Sequence, residues 1–199
     1  LRPSVFEDLG ALVAIFRPGP LQTGMDKHFV ARKHGREPVT YDHPLLEPIL
    51  KDTYGTILYQ EQIMKIVQDL GGFTLGQADL MRRAMGKKKV DIILENKTKF
   101  IEGCAKNGVD KAISENIFDQ MVEFAKYCFN RAHSAAYAFV AYQTAYLKAH
   151  YPIEYFSALL SSVKDNKEKT QMYIAMAQSR GIKVLPPDIN KSNADFTPD

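Results

Sequence analysis

The sequence lacks any apolar run of the roughly 18 residues needed to cross a bilayer, and no secretory signal opens it. It has two cysteines, Cys104 and Cys128, in 199 residues. That is too few for a disulfide framework, so a reducing, cytoplasmic setting is expected and no membrane. Paired acids are missing too. Two-metal phosphoryl transfer needs carboxylates that share cations about 3.5–4 Å apart, and no Asp-x-Asp or comparable pair stands in an apolar context. His28 and His34 have no cysteine or further histidine at ligand spacing, which argues against zinc. There is no Ser-His-Asp signature and no G-x-G-x-x-G. Gly86-Lys87 is not a Walker loop, because Met81 occupies the earlier glycine position and Lys88 replaces the Ser or Thr. Neither a catalytic residue nor a bound metal is expected in this chain.

What is present suits an ordinary globular protein, 45% hydrophobic and 25% charged, with one domain or one domain and a small appendage. Leu1 is not a methionine and Asp199 follows a turn-like stretch, so both ends read as cuts in a longer protein. The net charge is +3, but its distribution is uneven. Arg82, Arg83, Lys87, Lys88 and Lys89 place five cations in eight residues with no acid among them. Taking those five from 26 basic residues leaves 21 against 23 acidic ones. The positive field is focused at one place, as an anionic ligand requires.

The periodicity is mostly helical. Ser4-Val5-Phe6-Glu7 is a capping-box pattern opening a helix with Phe6, Leu9, Leu12, Val13 and Phe16 on its inner face. Pro18-Gly19-Pro20 ends it. A short helix over Met25 to Arg32 closes near Gly35, and Gly35 to Pro48 reads as a surface excursion with one helical turn. Ile57-Leu58-Tyr59 is a brief strand or a helix lead-in. Helices follow over Gln60 to Leu70, Thr74 to Met85, Val90 to Lys106 and from Asp110 through Phe124. Tyr127-Cys128-Phe129-Asn130 breaks the pattern. Ala132 to Tyr151 is a long helix, Pro152 to Val163 another, and Asn166 to Arg180 the last, stopped by Gly181. A soft boundary falls near Asp165.

Three segments could carry chemistry. Leu80 through Lys89 sets two adjacent arginines near a helix end, where they could fork onto phosphate oxygens; the plain alternative is a solvated C-terminus favoured by the macrodipole. Phe129 through Ala138 puts His133 and Tyr137 on one helix face among small alanines, room for a base or sugar; the alternative is tight helix packing. Phe16 through Gln22 is a rigid turn displaying Arg17, or simply a helix terminator.

Taken together, these segments resemble the bacterial DNA polymerase III alpha subunit family. The resemblance runs through Ala11 to Pro20, Tyr59-Gln60-Glu61-Gln62-Ile63-Met64, Leu80 to Lys89, Phe129-Asn130 with His133 to Ala138, and Leu185 to Asn190. Where the family often has Lys-Ser, this chain has Arg131-Ala132, which keeps the cation and loses the hydroxyl. The resemblance implies a mainly α fold, with a fingers domain over 1–163 and, over 164–199, a lead-in to a helix-hairpin-helix region. It implies DNA-directed DNA synthesis, with the catalytic aspartates and Mg2+ outside this chain. The implied partners are primer-template DNA, deoxynucleoside triphosphates, the remainder of the polymerase (palm and helix-hairpin-helix region) and the sliding clamp of the holoenzyme. In that reading Arg82, Arg83, Lys87 and Lys88 take the triphosphate, and His133, Ser134 and Tyr137 line its sugar and base. Arg17, Lys89 and Arg131 meet DNA or the palm. In a subset of the family an intein joins two pieces of the chain. The resemblance places that junction between Tyr127 and Cys128, with Cys128 the splice-junction nucleophile; packing is the plain alternative for this residue. The rival functions are a non-catalytic helical nucleic-acid-binding module and a protein-interaction domain with a basic patch.

Overall fold

The computed structural model describes residues 1–87 and 89–198, the side-chain environments of Gly86 and Val90 excepted. Helix α1 (Phe6–Ile15) is closed at its first turn by Asp8, whose Oδ2 accepts from the Ser4 and Val5 amides at 2.8 and 3.2 Å. The sequence pattern gave that task to Glu7. The inner face also differs from expectation. Gly10, Ala11, Ala14 and Ile15 are buried, while Leu12 is exposed and Phe16 is 74% exposed. Small residues face inward because neighbours press close: a Cβ on Gly10 would stand 3.2 Å from the Tyr59 hydroxyl.

Pro18-Gly19-Pro20 ends α1 and also starts α2 (Pro18–Gln22), since proline at the first helical position lacks only an amide that would go unpaired anyway. Helix α3 (Met25–Lys33) is tied to α1 by a buried ion pair, Lys33 Nζ to Asp8 Oδ2 at 2.7 Å. The excursion that follows carries a 3-10 turn at Pro44–Leu46 and the short α4 (Glu47–Leu50). Tyr59 then makes an isolated parallel bridge with Phe129.

Helices α5 (Gln60–Asp69), α6 (Leu75–Gly86), α7 (Val90–Lys106) and α8 (Lys111–Phe124) form the main core. Ile63, Ile66, Val67 and Leu70 supply the inner stripe of α5. They pack with Met81, Met85, Phe100, Ile117, Phe118 and Met121, and the Phe100 and Phe118 rings lie 5.7 Å apart. Gly72, at φ 68, supplies the stop after α5. Thr74 and Gln77 form the expected reciprocal cap of α6, and Asp110 caps α8. The turn after α5 meets α7 backbone to backbone, so a Cβ on Gly103 would lie 1.9 Å from the Gly71 carbonyl oxygen. A second cluster joins Ala11, Ala14, Ile15 and Phe29 to Leu58 and Tyr59.

Helix α9 (Arg131–His150) is followed by α10 (Pro152–Val163) and α11 (Lys167–Gln178). The chain forms two compact units, Leu1–Ala138 and Phe139–Asp199, and the division falls within α9. The charged stretch near Asp165 lies inside the second unit, as the turn between α10 and α11. That unit buries Phe156, Leu160 and Ala177. The fold is mainly α, and among the described residues there is no strand beyond the isolated bridge. No helix among them is long and apolar enough to cross a membrane.

Candidate functional site

Arg82 and Arg83 lie one helical turn beyond Asp79 on α6, and that single carboxylate holds both. Arg82 donates Nε and Nη2 to Asp79 Oδ1 at 3.0 and 2.7 Å, and Arg83 Nε pairs with Oδ2 at 2.8 Å. Hydrogen bonds from Arg82, helped by Arg83, hold the Asp79 carboxyl below the usual carboxylate value. The remaining Nη1 of Arg82 reaches back to Gln60 Oε1 at 3.0 Å. Arg83 is 63% exposed and Arg82 26%. Lys87 is exposed at the end of α6, and Lys89 is exposed as the residue preceding α7. Lys88 lies outside the described residues.

Sequence reasoning counted acids only within the run of cations and so missed Asp79. The signal was available, because residues three and four apart on a helix face each other.

The second segment is fastened to α5. Glu61 accepts from Asn130 Nδ2 at 2.8 Å and from the Arg131 amide at 2.9 Å. Asn130 Oδ1 then caps α9 by accepting from the His133 amide at 2.8 Å. Three rings climb that face of α9: Phe129 and His133 are 5.5 Å apart, His133 and Tyr137 4.7 Å, edge to face. His133 is exposed and Tyr137 is 56% exposed, so the ladder presents a free aromatic side. Arg131 lies over the Tyr59 ring and reaches Asp52 at 3.3 Å.

Ser134 does not share that exposed face. It is 1% exposed, and its hydroxyl donates to the Gly10 carbonyl, with Tyr59 beside it. Its small size admits α1, and its hydroxyl is already engaged there. Arg17 likewise does not display its cation. Its Nε donates to the Ala14 carbonyl at 2.7 Å, its Nη2 to the Tyr127 carbonyl, and its guanidinium covers the Phe129 ring at 4.7 Å. Burial pulls its pKa down. Cys128 is half-buried, and desolvation pushes its thiol up to about 12 despite Arg17 nearby. A thiol so raised is a poor nucleophile in the folded chain.

A hollow of about 640 Å³ opens elsewhere, between the turn at Gly71 and helices α6 and α7, with Gln77, Leu80, Glu95 and Lys99 on its walls. None of the candidate residues lines it. Among the described residues, no group of three or more His, Cys, Asp or Glu side chains could hold a metal ion.

The arrangement is that of a helical module with paired arginines at one helix end and an exposed aromatic ladder at the start of another, both fastened to the first turn of α5. Residues 1–108 match the bacterial DNA polymerase III alpha subunit finger domain, and the chain belongs to that family. The DNA polymerase III alpha subunit of Helicobacter pylori 26695 is 53% identical over 197 residues, covering 99% of this chain and 16% of the relative. Those of Escherichia coli K12 and Haemophilus influenzae Rd are each 52% identical, covering 98% and 99% of this chain and 17% of the relative. The chain thus spans about one-sixth of the length of the relatives it matches.

Proposed function

We propose that this chain serves as the fingers region of a replicative DNA polymerase and holds the incoming deoxynucleoside triphosphate over the template. Asp79 is the observation that supports this most. One carboxylate gathers both arginines, Arg82 through its Nε and Nη2 edge and Arg83 through Nε, so an anion with several oxygens could be gripped by the pair. Lys87 and Lys89 stand close by in sequence. A cation just ahead of α7 opposes that helix's macrodipole, so an anion arriving there is favoured by both. Arg82, Arg83, Lys87 and Lys88 take the phosphates, while His133 and Tyr137 offer the sugar and base an aromatic side. Ser134 shapes this side from behind, Arg131 braces the start of α9, and Arg17 locks the turn after α1 to Tyr127.

Fingers function extends over 1–163, and 164–199 lead toward a helix-hairpin-helix region. Primer-template DNA, the palm and the sliding clamp are the partners of the complete polymerase. Mg2+ and its aspartates belong to the palm of the complete polymerase. If an intein once joined Tyr127 to Cys128, the thiol acted before this fold closed around it.

In the complete polymerase, Arg82→Ala and Arg83→Ala should lower kcat/KM for nucleotide about ten- to hundredfold, more than they weaken primer-template binding. Lysine at either position should restore only part, since an ammonium cannot make the planar fork. Single-nucleotide incorporation kinetics decide the matter. If both alanine variants keep wild-type nucleotide kinetics but bind DNA more weakly, with a reduced salt slope, the site is a backbone-binding patch instead.

A further inference from the structure

The first turn of α5 touches both halves of the proposed nucleotide site. Gln60 Oε1 accepts from Arg82 Nη1, 22 residues away. Its neighbour Glu61 uses one oxygen for Asn130 Nδ2 and the other for the Arg131 amide. Through Asn130, which caps α9 at His133, Glu61 sets where the aromatic ladder begins.

The turn itself is rigid. Gln62 is buried, and its Oε1 accepts from the Leu58 and Tyr59 amides, each at 2.8 Å. Its Nε2 donates to Thr53 Oγ1 at 2.8 Å. Anchoring of this kind leaves the preceding two residues little freedom.

The guanidinium of Arg82 has five donors in one plane. Asp79 takes the Nε and Nη2 edge, and Gln60 takes Nη1. The Asp79 edge offers paired donors that a phosphate would grip. A phosphate arriving there displaces Asp79 while Gln60 still fixes the plane. Gln60 is also neutral, so it orients the cation without cancelling its charge.

We propose that Gln60 and Glu61 are positioning residues of the nucleotide site. Gln60 orients the Arg82 guanidinium for phosphate, and Glu61 holds the start of α9 so that His133 and Tyr137 face the sugar and base. The inference rests on the reading of Arg82 as a phosphate ligand.

A double-mutant cycle in the complete polymerase tests it, with saturating primer-template and the nucleotide concentration varied. Gln60→Ala should raise nucleotide KM about three- to tenfold with an unchanged melting temperature. In an Arg82→Ala background it should add nothing, because Gln60 acts only through Arg82. Gln60→Glu keeps the size and the acceptor but adds a charge that competes with phosphate. It too should raise KM, should lose that effect without Arg82, and carries the cycle if the alanine variant does not fold. Glu61→Gln should raise KM about threefold and combine additively with Arg82→Ala, since it acts on the other half. A Gln60 effect that is absent, or additive with Arg82→Ala, overturns the role of Gln60 while the phosphate reading stands. A silent Glu61→Gln overturns the role of Glu61. If Arg82→Ala itself leaves kcat/KM for nucleotide unchanged, the phosphate reading fails and takes the Gln60 assignment with it.

Discussion

The two compact units hide their apolar surface to different degrees. Leu1–Ala138 closes two clusters, one across α4 to α8 and one joining α1 and α3 to Leu58 and Tyr59. Phe139–Asp199 buries Phe156, Leu160 and Ala177, while Phe139, Val140, Leu147, Tyr151, Ile153 and Met172 stay exposed. The first unit is held by interlocked packing, the second by a thin apolar seam. The proposed site residues stand in the first, where a one-ångström error in side-chain placement is hardest to make.

The sharpest way to break that contrast is to add one methyl group. Gly103→Ala forces a Cβ to 1.9 Å from a backbone oxygen that cannot swing away. Urea melts should show a loss of about 4 kcal/mol or more. In the second unit Gly181, at φ 80, has open space around it, so Gly181→Ala should cost only the left-handed backbone penalty of about 1–2 kcal/mol. Equal losses from the two substitutions would erase the distinction.

A smaller effect comes from ion pairs. Burial pushes the Asp8 carboxyl up, but Lys33 and the Ser4 and Val5 amides outweigh it and hold the group below its ordinary 3.8. The hydrogen bond to Asp8 raises Lys33 above its ordinary 10.5, with burial opposing. A carboxyl lowered by folding stabilises above its unfolded value and loses that contribution as pH falls through the folded one. A raised lysine stabilises below its unfolded value and loses that contribution as pH rises through the folded one. The first unit should therefore weaken below pH 3.8 and again above pH 10.5. Asp8→Ala should cost about 3 kcal/mol near neutrality, because it removes the counter-charge of Lys33 and the acceptor of the Ser4 and Val5 amides. Lys164 and Asp195 form the matching pair in the second unit, but both are exposed, and Lys164→Ala should leave the melt unchanged. Melts of both variants across pH check the pair of expectations; a silent Asp8→Ala would count against the closed first unit.

The smallest effect is chemical. Burial raises both the Cys104 and the Cys128 thiols, the latter to about 12. At pH 8, iodoacetamide should label the buried Cys104 only in urea, and the half-buried Cys128 far more slowly in the native chain than in urea, as mass spectrometry would report. Native labelling of Cys128 as fast as in urea would mean that its surroundings do not raise the thiol.

Most of the fold was legible in the sequence, because helix ends are written in local chemistry. Val90 to Lys106 and Pro152 to Val163 match α7 and α10 at both ends. The turn residues Asn107-Gly108 and Pro152 fix those limits regardless of the surroundings. The inner face of α1 was not legible. Periodicity favours the stripe of Phe6, Leu12 and Phe16, whereas the real contact needs the absent side chain of Gly10 to admit Tyr59 and Ser134. Glycine as close-approach space has no hydrophobic signal. In the candidate site, Arg82, Arg83, His133 and Tyr137 could be picked out from their residue types and spacing. Asp79 and Gln60 could not be weighed until the helices placed them against Arg82, and the inward turn of Ser134 and Arg17 depends on carbonyls more than 100 residues away.

The parallel bridge between Tyr59 and Phe129 joins chain segments with four helices, α5 to α8, strung between them. Such a contact closes a long loop, and the entropy of closure must be met before the contact contributes anything in return. The packing of α5, α6, α7 and α8 against one another shortens that loop, and the contact from the Arg131 amide to Glu61, 70 residues apart, spans it. By its sequence separation the site is expected to form after the local helix contacts. A chain that has formed its helices but not yet closed the bridge has the arginines and the aromatic ladder, and nothing holding them to a common frame.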